Sequence, residues 1–120
     1  MPNRARVEAL IAAVEKGRFV EAIEEFYAEG ASMQENGEPP RVGRARLVAN
    51  EQRVIAAFAR IDARCARPLF VEGDEVVIHW QFAFHAADGS VKRLDELALQ
   101  HWNGDRIAAE RFFYDAAQMR

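Results

Sequence analysis

From residue 74 to residue 115 the chain alternates apolar and polar side chains through three successive segments, broken by Asp88-Gly89 and by Asn103-Gly104-Asp105. Alternation with a period of two is the pattern of a strand with one buried face. Asp-Gly and Asn-Gly between such segments mark hairpins. Strands joined by tight turns run antiparallel, so this stretch alone removes most of the topological freedom of the chain. In its first strand Val76, Ile78, Trp80, Phe82 and Phe84 point one way, and Val77, His79, Gln81, Ala83 and His85 point the other.

The N-terminal third has a different period. Val7, Leu10, Ile11 and Val14 fall at helical spacing and Gly17 follows as a stop. Phe19, Ile23, Phe26 and Tyr27 predict a second helix ended by Gly30, close enough to the first to form a hairpin. Residues 31–36 read as a short extended piece, and Gly37-Glu38-Pro39-Pro40 breaks regular structure. A third helix is expected from near Gly43, with Leu47, Val48, Val54, Ile55, Phe58 and Ile61 as its stripe. A first long strand follows over residues 62–72, where Pro68 requires a bulge or a sheet edge. Helices first and strands afterwards predict an α+β domain, a curved sheet wrapped around helices.

Turn length then decides which acids face inward. With two-residue loops at both hairpins, Phe82 lies opposite Asp95, Trp80 opposite Leu97 and Ile78 opposite Leu99. One face then collects Trp80, Phe82, Leu97, Leu99, Phe112 and Tyr114 together with Asp95 and Glu110. The other collects His79, Gln81, Glu96, Ala98, Gln100, Trp102, Arg111 and Phe113. A bulge in either turn inverts this assignment, because a one-residue slip turns every side chain of a strand over.

Composition excludes several function classes. A net charge of −3 gives no basic footprint for nucleic acid. No apolar run approaches the ~20 residues of a membrane span, and the N-terminus reads as an amphipathic helix, not a signal peptide. The single Cys65 rules out an internal disulfide framework and fits a reducing cytoplasm; it reads as a small buried thiol, with no base near it in sequence. His79 and His85 share a strand face but stand roughly 20 Å apart, and there is no Cys cluster or His-Glu-x-x-His run. No metal site and no cofactor are expected.

Three stretches carry a resemblance. Phe26-Tyr27-Ala28-Glu29-Gly30-Ala31-Ser32-Met33-Gln34-Glu35-Asn36 resembles the passage from second helix to first strand in the nuclear transport factor two-like superfamily, in its SnoaL-like and ketosteroid-isomerase-like branches. Pro39-Pro40-Arg41-Val42-Gly43-Arg44-Ala45 is similar to that family's approach to the third helix. Leu94-Asp95-Glu96-Leu97-Ala98-Leu99-Gln100-His101-Trp102, then Arg106-Ile107 and Glu110-Arg111-Phe112-Phe113-Tyr114-Asp115, resembles its last two strands. The resemblance covers nearly the whole chain and implies one cone-shaped domain over residues 1–120, enclosing a pocket between sheet and helices. It implies that Glu35 stands where ketosteroid isomerases keep their proton shuttle. The isomerase tyrosine falls near Ile11, which has no hydroxyl, and the second acid near Leu97, or Asp95 with a shift of two. The isomerase set is therefore incomplete.

The expectation is a small-molecule enzyme of isomerase or cyclase type, using acid–base chemistry on a hydrophobic carbonyl ligand. Glu35, raised by desolvation, would remove a proton. Asp95 or Glu110, kept neutral, would hydrogen-bond the enolate. Tyr27, Trp80, Phe82, Leu97, Phe112 and Tyr114 would contact the ligand. Three other readings stay open: Glu35 as a solvated strand end, Glu110 paired with an arginine such as Arg44, and the whole domain as a non-catalytic binding or dimerisation module. Trp102 and Phe113 on the mixed outer face predict a homodimer through that side of the sheet.

Overall fold

The computed structural model describes residues 1–120. Three helices, α1 (Arg4–Glu15), α2 (Phe19–Phe26) and α3 (Arg44–Ala56), lie against a six-stranded sheet of β1 (Tyr27–Glu35), β2 (Arg41–Val42), β3 (Arg60–Glu72), β4 (Glu75–His85), β5 (Val91–Asn103) and β6 (Arg106–Phe113). The strand order is β2-β1-β6-β5-β4-β3. Only β1 and β6 pair in parallel, so the sheet is mixed, curved and open. A 3-10 turn at Ala116–Met119 closes the chain. The α+β class stands as expected from the sequence.

Local chemistry explains the helix ends. Asn3 Oδ1 accepts the Ala5 N–H at 2.7 Å and caps α1, a contact worth ~1 kcal/mol. Val7, Leu10 and Ile11 then turn inward, each no more than 2% exposed, and burying side chains of this size contributes about 2 kcal/mol apiece. Gly43 precedes α3 at φ 103°, a conformation side chains with a Cβ rarely adopt. The second helix stops earlier than predicted: its last residue is Phe26, and Tyr27 opens β1. Pro68 sits in a register break of β3 between Ala66 and Phe70, on a strand that is also the sheet edge.

The register corrects the sequence reading of β5. Residues Gln81 and Asp95, Phe82 and Leu94, and Trp80 and Glu96 are opposite each other. The Asp88-Gly89 connection is longer than the two residues expected. His85 pairs with Val91, Ala86 N–H donates to Ser90 O, and Asp88 Oδ1 accepts from Ser90 N and Oγ at 2.9 and 2.6 Å. Gly89 takes φ 90°, as in a three-residue hairpin loop. One extra loop residue turns β5 over. The second hairpin pairs Asn103 with Arg106, but the register shifts beside it, between His101–Ala109 and Trp102–Ile107. That bulge turns the ladder over again. The two slips cancel for β6, so Glu110 and Phe112 share the face of Trp80 and Phe82 after all.

No helix is long and apolar enough to cross a membrane.

Candidate functional site

The concave side of the sheet and the three helices enclose a cavity of about 470 Å³, and 18 of its 25 lining residues are hydrophobic. Leu10 and Val14 come from α1, Ile23 from α2, Val54 from α3, and Trp80 and Phe82 from β4. Into this apolar space project four carboxyl groups: Glu35 from the end of β1, Glu51 from α3, Glu96 from β5 and Glu110 from β6.

Glu110 is buried, 3% exposed, and is the centre of a hydrogen-bonded chain. Trp102 Nε1 donates to Gln100 Oε1 at 3.0 Å, and Gln100 Nε2 donates to Glu110 Oε2 at 2.7 Å. Tyr27 Oη meets Glu110 Oε1 from β1. The indole N–H can only donate, so the Gln100 amide has one orientation, with its NH₂ toward Glu110. Oε2 of Glu110 is thereby held as an acceptor. A proton on this carboxyl must sit on Oε1, facing Tyr27. Burial pushes Glu110 up to about 7 against the pull of the Tyr27 and Gln100 hydrogen bonds. The Tyr27 phenol is raised well above its ordinary value by its own burial, then by the charge of Glu110.

The other acids differ in their support. Glu96 is 7% exposed. Desolvation, followed by the charges of Glu35, Glu110 and Glu51, pushes it up to about 8. Glu35 is also raised, mainly by burial, but a hydrogen bond from Tyr114 and the charge of Arg41 hold it down; the Arg41 guanidinium stands 3.8 Å away. Burial raises Glu51, with help from the charge of Glu35. Tyr114 is pushed up to about 12 by desolvation and by Glu35.

Of the residues singled out from sequence, Glu35, Glu110, Tyr27, Trp80, Phe82, Phe112 and Tyr114 line the cavity. Asp95 and Leu97 do not. The extra residue of the Asp88-Gly89 loop puts them on the outer face, where Asp95 is bonded to His79 and Leu97 is 46% exposed. Leu99 moves outward with them, at 38%. Glu96, Ala98, Gln100 and Trp102, expected outside, are inside and buried. Trp102 is therefore core, not dimer surface. Arg44 does not pair with Glu110; it donates to the Tyr27 carbonyl at 3.1 Å, and Arg60 pairs with Asp62 on the rim of the sheet. Glu96, Gln100 and Glu51 are the site residues that sequence reasoning missed. The spacing Leu47, Glu51, Val54, Phe58 puts Glu51 on the apolar stripe of α3, a signal present in the sequence. No group of three or more His, Cys, Asp or Glu is placed to hold a metal ion.

Comparison with known proteins places this architecture. The family model of the SnoaL-like domain matches residues 7–110. No curated protein matches at the level of sequence. Among solved structures, a protein described as a SnoaL-like polyketide cyclase from Jannaschia sp. CCS1 superposes with a TM-score of 0.80 at 16% identity, over 95% of this chain and 88% of that one. A protein of ketosteroid isomerase-like fold from Catenulispora acidiphila, solved in complex with trimethylamine, gives 0.79 at 17%, over 94% and 87%. TerC co-crystallised with polyporic acid gives 0.81 at 16%, over 99% and 95%. At these identities the likeness is one of fold.

Proposed function

The chain belongs to the SnoaL-like domain family, and from that premise we propose that it catalyses cofactor-free proton transfer on a hydrophobic carbonyl compound. Its single domain would act as an isomerase or cyclase. The observation that carries the reading is the pairing of Tyr27 with a Glu110 whose other oxygen is committed to Gln100.

Near neutral pH Glu110 exchanges its one proton on Oε1. When that proton is present it is donated to Tyr27 Oη, and the phenolic hydrogen of Tyr27 is free to turn into the cavity. There it hydrogen-bonds the carbonyl oxygen of the ligand and stabilises the enolate that forms. Glu35 is the base. Arg41 and Tyr114 favour its ionised form while the apolar wall raises its affinity for a proton. It takes the proton next to the carbonyl and returns it at another carbon. Trp80, Phe82 and Phe112 hold the ligand body.

The test is hydrogen–deuterium exchange of 2-tetralone, an enolisable aromatic ketone, followed by NMR. The protein is expected to accelerate exchange. Glu35→Gln should cut the acceleration about 10²–10⁴-fold, and Tyr27→Phe about 10²–10³-fold. Exchange at the buffer rate with 2-tetralone bound would leave the alternative, a hydrophobic-ligand carrier of the same fold.

The outer face supports a homodimer. Leu97 lies opposite Phe113, and Val77 opposite Leu99; Leu97, Phe113 and Leu99 are 46%, 40% and 38% exposed. Such a cluster on an uncovered sheet is an interaction surface. Light scattering is expected to give twice the 13.6 kDa chain mass, and a monomer would remove the dimer from the proposal. A cytoplasmic location suits the lone buried thiol of Cys65.

A further inference from the structure

Two of the four cavity carboxyls take no part in the proton transfer above. Glu96 is 93% buried by its 7% exposure and has neither a hydrogen-bonding side-chain partner nor an ion pair. No buried side-chain oxygen of the protein is sealed away unpartnered, so the Glu96 carboxyl looks into the cavity it lines. Glu51 reaches the same space from α3 and is equally unpartnered. An apolar cavity is a costly place for such groups.

No nearby cation pairs with Glu96 or Glu51. Arg53, the one arginine on the cavity wall, is bonded to Asn50 Oδ1, and Arg41 pairs with Glu35. The wall beside Glu96 is aromatic. Trp80, its register partner on β4, Phe82 and Phe84 follow at centroid spacings of 5.9 and 5.9 Å, and Phe58 continues at 5.0 Å. Ring faces attract cations. Unsatisfied carboxyls and a row of aromatic rings ask for the same ligand.

We infer that the cavity takes a hydrophobic cation, with an ammonium group seated between Glu96 and Glu51 and its carbon body against the Trp80–Phe82 ladder. This deepens the reading above, which it uses only for the carbonyl: the compound that is enolised carries a basic nitrogen. The ammonium supplies the counter-charge that neither carboxyl finds among the side chains of the protein, and so favours their ionised forms. It also sets positive charge beside the forming enolate. A ligand anion meets Glu35, Glu51, Glu96 and Glu110, with Tyr27 and Tyr114 behind them, against the charges of Arg53 and of Arg41 beside Glu35.

The experiment compares benzyltrimethylammonium with neopentylbenzene, its uncharged carbon isostere, by calorimetry or tryptophan fluorescence. At pH 8 the cation should bind at least tenfold more tightly. Its affinity should rise from pH 6 to pH 9 as the cavity carboxyls ionise, while that of neopentylbenzene stays level; the quaternary nitrogen has no proton to lose. Glu96→Gln and Glu51→Gln should each weaken the cation about tenfold and leave neopentylbenzene unchanged. If one variant loses both probes it has lost the cavity, and the other variant decides. Equal affinity for the two probes overturns the inference, as does a cation preference that survives in both variants. So does tighter binding of 3-phenylpropionate. None of these outcomes touches 2-tetralone exchange, which tests the proton-transfer reading separately.

Discussion

Asp95 and Glu96 are chain neighbours on β5 that occupy opposite chemical environments. On the convex face Asp95 meets His79, Asp62 meets His85 at 2.9 Å and Glu75 meets His101 at 2.8 Å, with the three acid side chains 50–57% exposed. Water and a neighbouring imidazole satisfy each of them. On the concave face Glu96 has no such partner and Glu110 relies on Tyr27 and Gln100. The same functional group is an exposed partner of histidine on one side of the sheet and a buried, desolvated carboxyl on the other. Position relative to water sets the role, and strand parity sets the position.

Substitution by size should expose the contrast most strongly. Trp102, fully buried, supports Gln100 from within; Phe113 is 40% exposed on the outer side. Trp102→Ala should cost ~3–5 kcal/mol in urea unfolding, against under ~1 kcal/mol for Phe113→Ala measured on dilute monomer. Similar losses would mean that the two faces are not distinct in burial.

The acids give the next effect. Glu96 and Glu110 are raised above the ordinary carboxylate value of 4.5 to about 8 and about 7. Below pH ~4.5 both are protonated whether the chain is folded or not. Between there and pH ~8 the unfolded chain has lost protons that the folded one retains, so stability falls as pH rises. The loss should be several kcal/mol between pH 5 and pH 9, with ~7 kcal/mol as its upper bound, since a tenfold change in proton affinity is worth about 1.4 kcal/mol and the two carboxyls keep their protons to about pH 8 and about pH 7. Chemical denaturation across that range measures it. Glu96→Gln should flatten the slope; an unchanged slope would mean that other groups hold those protons.

Removing one carboxylate from each face sharpens the comparison further. Glu110→Leu removes the acceptor of the buried Gln100 NH₂ and the partner of Tyr27 Oη together, at a cost of ~1–3 kcal/mol. Asp95→Asn disturbs only an exposed pair and should cost under ~1 kcal/mol. Thermal melts of the two variants, run side by side, decide it, and equal costs would count against a buried relay.

The smallest expected effect concerns the turn that sorts the faces. Gly89→Ala forces a Cβ at φ 90°, at ~1 kcal/mol, without changing which residues line the cavity. A neutral substitution would show that the loop can change conformation.

The element order, the helix stripes and the hairpins were legible in the sequence because they follow from periods of 3.6 and 2. Trp80, Phe82 and Phe112 could be placed at the cavity for the same reason, and Glu35 through the family resemblance. The faces of β5 were not legible. Asp88-Gly89 signals a hairpin equally well with two loop residues or three, and only the bonds from Ser90 to Asp88 distinguish them. The bulge near Ala109 leaves no mark in the apolar pattern, since Ile107, Ala108 and Ala109 tolerate either face. Asp95 and Glu96 adjoin each other, so a single-residue slip exchanged the candidate acid. Leu97 and Leu99 reinforced the error, being apolar yet exposed, while Gln100 was hidden by being polar yet buried.

Site-resolved carbon NMR titration of the glutamate carboxyls puts the account at most direct risk. It predicts inflections near pH 7 for Glu110 and near pH 8 for Glu96. If both instead lose their protons below pH ~5, close to the ordinary carboxylate range, the hollow is wet, and no carboxyl chemistry of the kind described takes place there.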